Sequence, residues 1–283
     1  MHRDLLSDLD DGSDIDSYSD LDAFRDLDVY RELDFDSDLN NYSTEPELFL
    51  DVPYVPTDEK LVGEMLDLAE VGPRDVLYDL GSGDGRIVVA AAKERDTRGV
   101  GIDLDPLRVA EAMEYAGWSG VEYLVDFIEG SIFTEDISEA TVVTLYLLDS
   151  VNVELRPRLL EVLRPGTRIV SHAFDMGDWK ADERRSYSGA TLYKWVVPAQ
   201  VAGTWEWKRA DGKQYRLELQ QKYQKVTGKV WLDGKKAHLE SAKLSGSRLE
   251  LMLRENKAAP FDCFTLLYSD SRTDSQLQSV TAN

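Results

Sequence analysis

The stretch DVLYDLGSGDGRIVVAAAK, residues 75–93, decides the fold because it joins an apolar run, an acid and three alternating glycines. The apolar run stops at Asp79, and Gly81, Gly83 and Gly85 then precede a segment rich in alanine and valine. This order predicts a buried strand, a tight turn and a helix. Glycine tolerates positive φ and lets a backbone approach a ligand closely. The turn is therefore expected at the carboxyl end of a strand, where doubly wound sheets bind ligands.

Outward from this stretch, apolar strand patterns alternate with helical patterns over residues 51–198. The expected strands cover residues 76–80, 99–104, 121–128, 140–148 and 167–173, and the expected helices cover residues 58–70, 86–94, 106–116 and 152–163. Thr57 is the expected N-cap of the first helix. The alternation predicts an α/β domain with a doubly wound, mostly parallel sheet covered by helices.

Residues 199–270 show strand patterns alone, with alternating apolar and polar side chains. Asp-Gly pairs at residues 211–212 and 233–234 are typical of two-residue hairpin turns. The pattern predicts a small antiparallel β-domain over residues 199–270. Residues 271–283 are expected to form a flexible tail.

Residues 1–50 contain a hexapeptide repeat that starts as SDLDDG at Ser7 and carry 16 acidic and 3 basic side chains. So dense a run of aspartate repels itself and offers little apolar surface for a core, which predicts a disordered, solvated tail. Two other roles stay open. One is a docking arm for a basic partner or for the chain's own basic C-terminal domain. The other is calcium binding, although no repeat has the spacing of an EF-hand loop.

The net charge of −22 over 283 residues argues against a nucleic-acid partner for the whole chain, because phosphate contacts need clustered lysine and arginine. Residues 201–258 keep a small chance open, with 13 basic and 7 acidic side chains. The single cysteine, Cys263, excludes an internal disulfide and a cysteine-built metal site. The sequence also lacks a signal-peptide core and an apolar run of the roughly 20 residues that cross a bilayer. We expect a cytoplasmic protein without membrane association or bound metal.

Two ligand classes use a glycine turn of this kind. A dinucleotide site has the spacing G-x-G-x-x-G, which would place its last glycine at Arg86. Asp79 is a poor neighbour for a pyrophosphate and a good one for the ammonium and sulfonium of S-adenosylmethionine. A second acid, Asp103 in VGIDLDP, ends the next strand 22 residues after Gly81 and is placed to accept hydrogen bonds from ribose hydroxyls. This order favours S-adenosylmethionine over a nicotinamide dinucleotide and over a merely structural turn.

The motifs VLYDLGSGDGR and GVGIDLDP resemble the first two motifs of the class I, seven-strand S-adenosylmethionine-dependent methyltransferases, over about residues 51–195. With PYVPT at residues 53–57, the chain is similar to the mitochondrial-type protein lysine methyltransferases and to bacterial relatives that carry a β-rich extension. The resemblance implies that the cofactor is bound by Asp79, Gly81, Ser82, Gly83, Gly85, Asp103, Leu104, Ser131 and Ile132, with Tyr54 and Thr57 over the methyl group. Ser131 departs from the acid that usually faces the adenine amino group in this family.

Methyl transfer from a sulfonium mainly requires alignment of the reacting atoms in a water-poor pocket. An amine acceptor must also be neutral, which desolvation favours by lowering a lysine pKa. We therefore name Tyr54 and Tyr146 as the catalytic candidates, Tyr146 being either a wall of the pocket or ordinary core. His172 either faces the pocket or is structural. The sequence LYLLDS after the fourth strand lacks the Asn/Asp-Pro-Pro-aromatic loop of enzymes that methylate adenine, cytosine or glutamine amides.

Three functions stay open at this point. The first is a protein lysine N-methyltransferase that acts on a cationic or lysine-rich protein, to which an acidic chain is attracted. The second is a methyltransferase for a small molecule. The third is a non-catalytic adaptor that binds the cofactor and recruits basic partners.

Overall fold

The computed structural model describes residues 54–268 and the backbone of the strand Leu277–Ala282. This part of the chain forms a mixed seven-stranded sheet covered by helices and a separate seven-stranded antiparallel sheet. The predicted fold class is confirmed for both sheets. The predicted acidic tail of residues 1–50 lies outside the described residues.

The first sheet carries the glycine turn at its centre. The helices are α1 (Glu59–Leu68), α2 (Arg86–Arg95), α3 (Pro106–Ser119) and α4 (Asp149–Val162). The strands are β1 (Val76–Leu80), β2 (Arg98–Asp103), β3 (Val125–Glu129), β4 (Val142–Leu145), β5 (Arg168–His172), β6 (Glu183–Tyr187) and β7 (Ala190–Val196). Their order is β3-β2-β1-β4-β5-β7-β6, with β1 to β5 parallel and β7 antiparallel to both neighbours. The order reverses between β1 and β4, which opens a crevice at the carboxyl end of β1.

The two faces of this sheet are buried by different helices. Leu77 and Val142 belong to the apolar layer formed with α1, α2 and α3. Leu80 and Leu145 belong to the layer on the other face, formed with α4. Because successive strand residues point to opposite faces, strands covered on both sides are apolar almost throughout.

Two predicted strands are shorter in the structure. The third begins at Val125 rather than residue 121, because Gly120 at φ +68° closes α3 and the Val121 amide donates to the Ala116 carbonyl at 3.1 Å. The fourth ends at Leu145 rather than residue 148, because its partner β1 ends where Leu80 pairs with Leu145.

The predicted cap of α1 is also wrong. Asp58, not Thr57, caps the helix, and its side chain accepts a hydrogen bond from the Lys60 amide at 3.0 Å. Aspartate is at least as good an N-cap as threonine, so the next residue along takes this role. Thr57 is buried, and its carbonyl accepts a hydrogen bond from Arg86.

The second sheet is a meander of antiparallel strands. They are β8 (Gly203–Lys208), β9 (Gln214–Lys222), β10 (Lys225–Leu232), β11 (Lys235–Ser245), β12 (Arg248–Arg254), β13 (Asp262–Tyr268) and β14 (Leu277–Ala282), in that order across the sheet. The sheet curls, so that its first strand contacts its sixth. Trp205 and Trp207 of β8 contact Tyr268 and Phe264 of β13, with ring centroids 5.1 and 5.2 Å apart.

The predicted flexible tail is wrong for residues 277–282, which form β14. This strand pairs with β13 through the register Leu266↔Val280. Without β14, β13 would present a row of unpaired backbone groups at the sheet edge. The pairing of this segment depends on the exposed edge of β13, which exists only in the folded structure, so the composition of the segment alone does not reveal the strand.

Asp178 joins the two sheets. Its carboxylate accepts hydrogen bonds from Arg156 of α4 at 2.7 Å and from the Tyr223 hydroxyl at 2.9 Å, and it pairs with Lys222 at 2.8 Å. The hydrogen bond from Lys222 is the main cause that lowers the pKa of Asp178 to about 2. The Tyr223 ring also stacks on the buried Trp179, with centroids 5.8 Å apart. The stretch around Trp179 therefore packs between the sheets.

Within the described residues, every helix is too short or too polar to cross a membrane.

Candidate active site

A cleft with about 1000 Å³ of open space lies at the carboxyl ends of β1, β2 and β4. Five segments meet there because parallel strands end at the same edge of the sheet. They are residues 54–57, the turn after β1, and the loops after β2, β3 and β4. A cleft at this position is the expected binding site of a doubly wound fold.

Most of the residues predicted to bind a cofactor line this cleft. They are Tyr54, Thr57, Asp79, Gly81, Ser82, Gly83, Asp103, Leu104, Ser131 and Ile132. The catalytic candidate Tyr146 lines it as well. Gly85 does not, and the role predicted for it needs correction. A Cβ at Gly85 would lie 2.7 Å from the Phe127 ring, so this glycine lets α2 pack against β3.

Asp79 is a buried acid in the wall of the cleft, with 3% of its surface exposed. Its Oδ1 accepts a hydrogen bond from the Thr144 hydroxyl at 2.7 Å. Burial raises the pKa of Asp79 to about 7, and the nearby carboxylates of Asp103 and Asp84 add to the effect while Thr144 opposes it. A cation bound beside Asp79 would favour the ionised form.

Asp103 connects the turn after β1 to the loop after β2. Its Oδ2 accepts from the Gly83 amide at 2.7 Å and its Oδ1 accepts from the Asp105 amide at 3.0 Å. Each carboxylate oxygen has further acceptor capacity, so these bonds leave room for ligand hydroxyls. The two amides fix the direction in which the carboxylate faces the cleft.

Residues 54–57 are held over the turn by two arginines that the sequence reasoning missed. Arg86 donates to the Thr57 carbonyl at 2.8 Å and pairs with Asp84 at 2.5 Å. The Arg108 guanidinium lies 4.2 Å from the centre of the Tyr54 ring. Arg86 directly follows the third glycine, and its position at the start of α2 is the feature that could have identified it.

Gly83 shows why this turn needs glycine. It has φ +52°, and a Cβ there would lie 2.6 Å from the Tyr54 ring. A side chain at this position would push Tyr54 away from the turn.

The Tyr146 ring lines the cleft beyond the end of β4, and two other aromatic rings stack on it. Tyr146 is half-buried and stacks on His172, with centroids 3.8 Å apart, and on Phe174 at 6.3 Å. Burial lowers the pKa of His172, which keeps its imidazole neutral at pH 7. Its Nδ1 atom and the Asn152 Oδ1 atom are buried without a hydrogen-bond partner among the described residues. His172 supports Tyr146 from behind rather than lining the cleft itself.

The donor set of the cleft fits S-adenosylmethionine. The Ser82 hydroxyl is buried without a protein partner in the described part of the chain, which leaves a polar atom for a ligand. Asp79 and Asp103 supply acids for the cationic and hydroxyl groups, and Leu104 and Ile132 supply apolar surface for a flat ring. The described residues thus match the ammonium, ribose and base of this cofactor in turn.

Comparison with known proteins agrees with this geometry. The family described as the ANTKMT methyltransferase domain matches residues 79–183, from the buried acid to β6. A protein-lysine N-methyltransferase of Saccharolobus islandicus is 47% identical over 133 residues, which cover 47% of this chain and 83% of that protein. The chain belongs to this family of class I methyltransferases. S-adenosylmethionine is therefore its cofactor.

Two further relatives bear on this methyltransferase. The adenine nucleotide translocase lysine N-methyltransferase of Mus musculus is 32% identical over 133 residues, covering 47% of this chain and 58% of that protein. The crystal structure of an RNA methyltransferase from Salinibacter ruber with S-adenosyl-L-homocysteine is 55% identical with a TM-score of 0.51. It covers 52% of this chain and 96% of that one. These relatives confirm the predicted enzyme class and cofactor. Their names differ in the methyl acceptor, which is lysine in the first and RNA in the second.

The raised pKa of Asp79 predicts that cofactor binding releases a proton. At pH 6 the free protein holds Asp79 mostly protonated, and the cationic methionine end of the ligand favours ionisation. We expect S-adenosylmethionine affinity to rise as pH increases toward 7. Calorimetric titration at pH 6 in two buffers of different ionisation enthalpy measures the released proton.

Two variants test the origin of this proton. Asp79→Asn is expected to abolish the release, and Thr144→Val to weaken binding roughly tenfold by removing a hydrogen bond to the ionised form. Equal heats in both buffers for the unmodified protein would show that Asp79 does not titrate on binding.

Proposed function

We propose that this methyltransferase transfers the methyl group of S-adenosylmethionine to the side-chain amine of a lysine in a protein substrate. The names of the relatives from Saccharolobus islandicus and Mus musculus support a protein lysine as acceptor. The net charge of −22 favours encounter with a cationic, lysine-rich partner. A cytoplasmic setting is part of the proposal, because a single cysteine cannot form the internal disulfides that are typical of proteins in oxidising compartments.

The observation that carries the proposal is the aromatic wall, by which we mean the Tyr146 ring that lines the cleft with the rings of His172 and Phe174 stacked on it. The aliphatic stem of a lysine packs well along an aromatic face, while its amine reaches the end of the channel. A wall of this kind excludes water and so lowers the pKa of the arriving ammonium. The neutral state of His172 keeps a second positive charge away from the wall.

The residues of the cleft have separate tasks in this reaction. When bound, S-adenosylmethionine supplies an electrophilic methyl group on a positively charged sulfur. Asp79 and Ser82 hold the methionine end, and Asp103 holds the ribose. Tyr54 and Thr57 cover the place of transfer, so that the nitrogen lone pair has one direction of approach. Alignment of this kind provides most of the catalysis in a displacement that needs no nucleophile from the protein.

RNA is the second candidate acceptor. The solved structure that is 55% identical to this chain is named an RNA methyltransferase, and it covers about half of this chain. An RNA acceptor would present a nucleophile on a base or ribose rather than a flexible amine. The same aromatic wall would then stack against a base.

Transfer of tritiated methyl groups to a cell lysate tests the two acceptors together. We expect protease-sensitive label that is recovered as methyl-lysine after acid hydrolysis. Label that RNase removes would identify RNA, rather than a protein lysine, as the methyl acceptor. Label found only in the small-molecule fraction would exclude both acceptors. Tight S-adenosylhomocysteine binding with no label in any fraction would identify an adaptor without catalysis. The Asp103→Ala variant serves as the inactive control.

A further inference from the structure

Six cations lie on the outer face of strands β9 to β11, and we call this surface the lysine face. Its members are Arg216, Lys222, Lys225, Lys229, Lys236 and Lys243, all of which are exposed. They alternate along the strands with buried residues such as Leu217, Val226 and Leu244. The inner face of the sheet is thus apolar. The outer face also carries Glu206 and Glu218, which pair with Arg216, and the lysines leave it net positive in a chain whose net charge is −22.

The register of the strands places lysines directly opposite one another. Lys225 is the cross-strand partner of Lys222 on β9 and of Lys243 on β11. Like charges in this arrangement destabilise a sheet. Lys222 has Asp178 as a partner, but within the described part of the chain Lys225 and Lys243 form no ion pair. Lys243 also faces Glu250 on β12, so Lys225 is the member of this row whose two cross-strand partners are both cations. Retaining that arrangement costs stability, which supports a role in binding anions.

An indole lies on the same face. Trp231 is half-buried and is the cross-strand partner of Arg216 on one side and Lys236 on the other. The Arg216 guanidinium lies 5.5 Å from the centre of the indole ring. Aromatic rings flanked by cations are the surfaces on which unpaired bases stack while their phosphates are neutralised.

One end of the lysine face contacts the loop after β5. Lys222 contacts Asp178, which lies four residues beyond Phe174 in the loop after β5. The Phe174 ring in turn stacks on Tyr146. Asp178 therefore connects this end of the lysine face to the loop that also carries Phe174.

We infer that the lysine face binds a single-stranded nucleic acid, with the row Lys222, Lys225 and Lys243 on its phosphates and Trp231 against a base. An acidic protein would satisfy the lysines but leave the indole without a stacking partner. A duplex keeps its bases stacked on one another and offers none to the indole. The inference goes beyond the proposed lysine methylation and holds whichever acceptor is methylated.

The test is fluorescence anisotropy of a labelled 12-nucleotide oligouridylate with the full chain, at salt concentrations from 50 to 200 mM. We expect binding that weakens as salt increases, with a slope of about −0.7 in the logarithm for each phosphate neutralised. Lys225→Glu is expected to weaken binding at least about tenfold and to make the slope less steep. Lys93→Glu changes charge equally on the exposed end of α2 and is expected to have little effect.

The Lys225→Glu variant separates binding from folding. It replaces two like-charge pairs with two opposite-charge pairs, so its melting temperature is expected to equal or exceed that of the unmodified protein. No binding at 50 mM salt, or equal losses in Lys225→Glu and Lys93→Glu, would overturn the inference. Tighter binding of a 12-base-pair duplex, or of an acidic peptide with the sequence of residues 7–24, would also overturn it in favour of that ligand.

Discussion

Replacing Asp103 with alanine is expected to weaken S-adenosylmethionine binding about 100-fold. The variant loses the carboxylate that we propose to accept hydrogen bonds from the ribose hydroxyls, and hydrogen bonds to a charged group contribute about 1.5–3 kcal/mol each. It also releases the Gly83 amide, which Asp103 holds at 2.7 Å, so the turn after β1 loses its tie to the next loop. Calorimetric titration with S-adenosylhomocysteine measures the affinity.

Asp126→Ala is the matched control for this prediction. Asp126 is an exposed acid on β3, outside the cleft, and its loss changes the net charge equally. We expect its affinity to stay within threefold of the unmodified protein. If the Asp103→Ala variant also stays within threefold, the carboxylate does not hold the ribose and the assignment of this cleft is wrong.

Replacing Tyr146 with alanine is expected to lower kcat about 100-fold while cofactor affinity changes less than threefold. The aromatic wall would lose the ring that lines the cleft, and we expect water to enter beside the methyl group and the proposed lysine amine. Loss of alignment on this scale costs about 2.7 kcal/mol of transition-state stabilisation. Single-turnover kinetics with a methyl-accepting substrate found by the labelling experiment measures the chemical step.

Tyr146→Phe distinguishes the ring from the hydroxyl. A role as a wall requires only the ring, so the phenylalanine variant is expected to retain most of the activity. A loss in Tyr146→Phe as large as in Tyr146→Ala would give the hydroxyl a direct part in the reaction. If Tyr146→Ala is fully active and merely less stable in a thermal melt, Tyr146 is ordinary core.

The glycine turn and its strand were predictable from the sequence because local rules decide them. The strand at Val76–Leu80 has the predicted bounds, since an apolar run ended by an acid and glycine offers one way to pair and turn. Asp79 and Asp103 could be paired in advance because parallel strands end at the same edge. These inferences required only the order of elements and the chemistry of their ends.

Contacts that depend on distant parts of the chain were not predictable in this way. Arg86 reaches the Thr57 carbonyl across 29 positions, and no local pattern around either residue reveals that bond. Gly85 was grouped with the ligand-binding glycines because its spacing is the same. What sets it apart is the Phe127 ring from β3, which arrives only with tertiary packing.

The cross-strand lysines were also only partly predictable from the sequence. Composition located an excess of positive charge in residues 201–258, but it did not say which charges share a face. Register decides that Lys225 faces Lys222 and Lys243. A shift of one residue would send the same side chains to the interior.

The buried Asp79 is expected to make the stability of the protein depend on cofactor binding. An acid whose pKa rises from 3.8 unfolded to about 7 folded opposes folding once pH exceeds the lower value, and the opposition is complete above pH 7. We expect a bound cationic ligand to act as the counter-ion of this carboxylate and to restore the lost stability. The protein without cofactor is then expected to melt at a lower temperature and to be cleaved faster by proteases than the protein with cofactor bound.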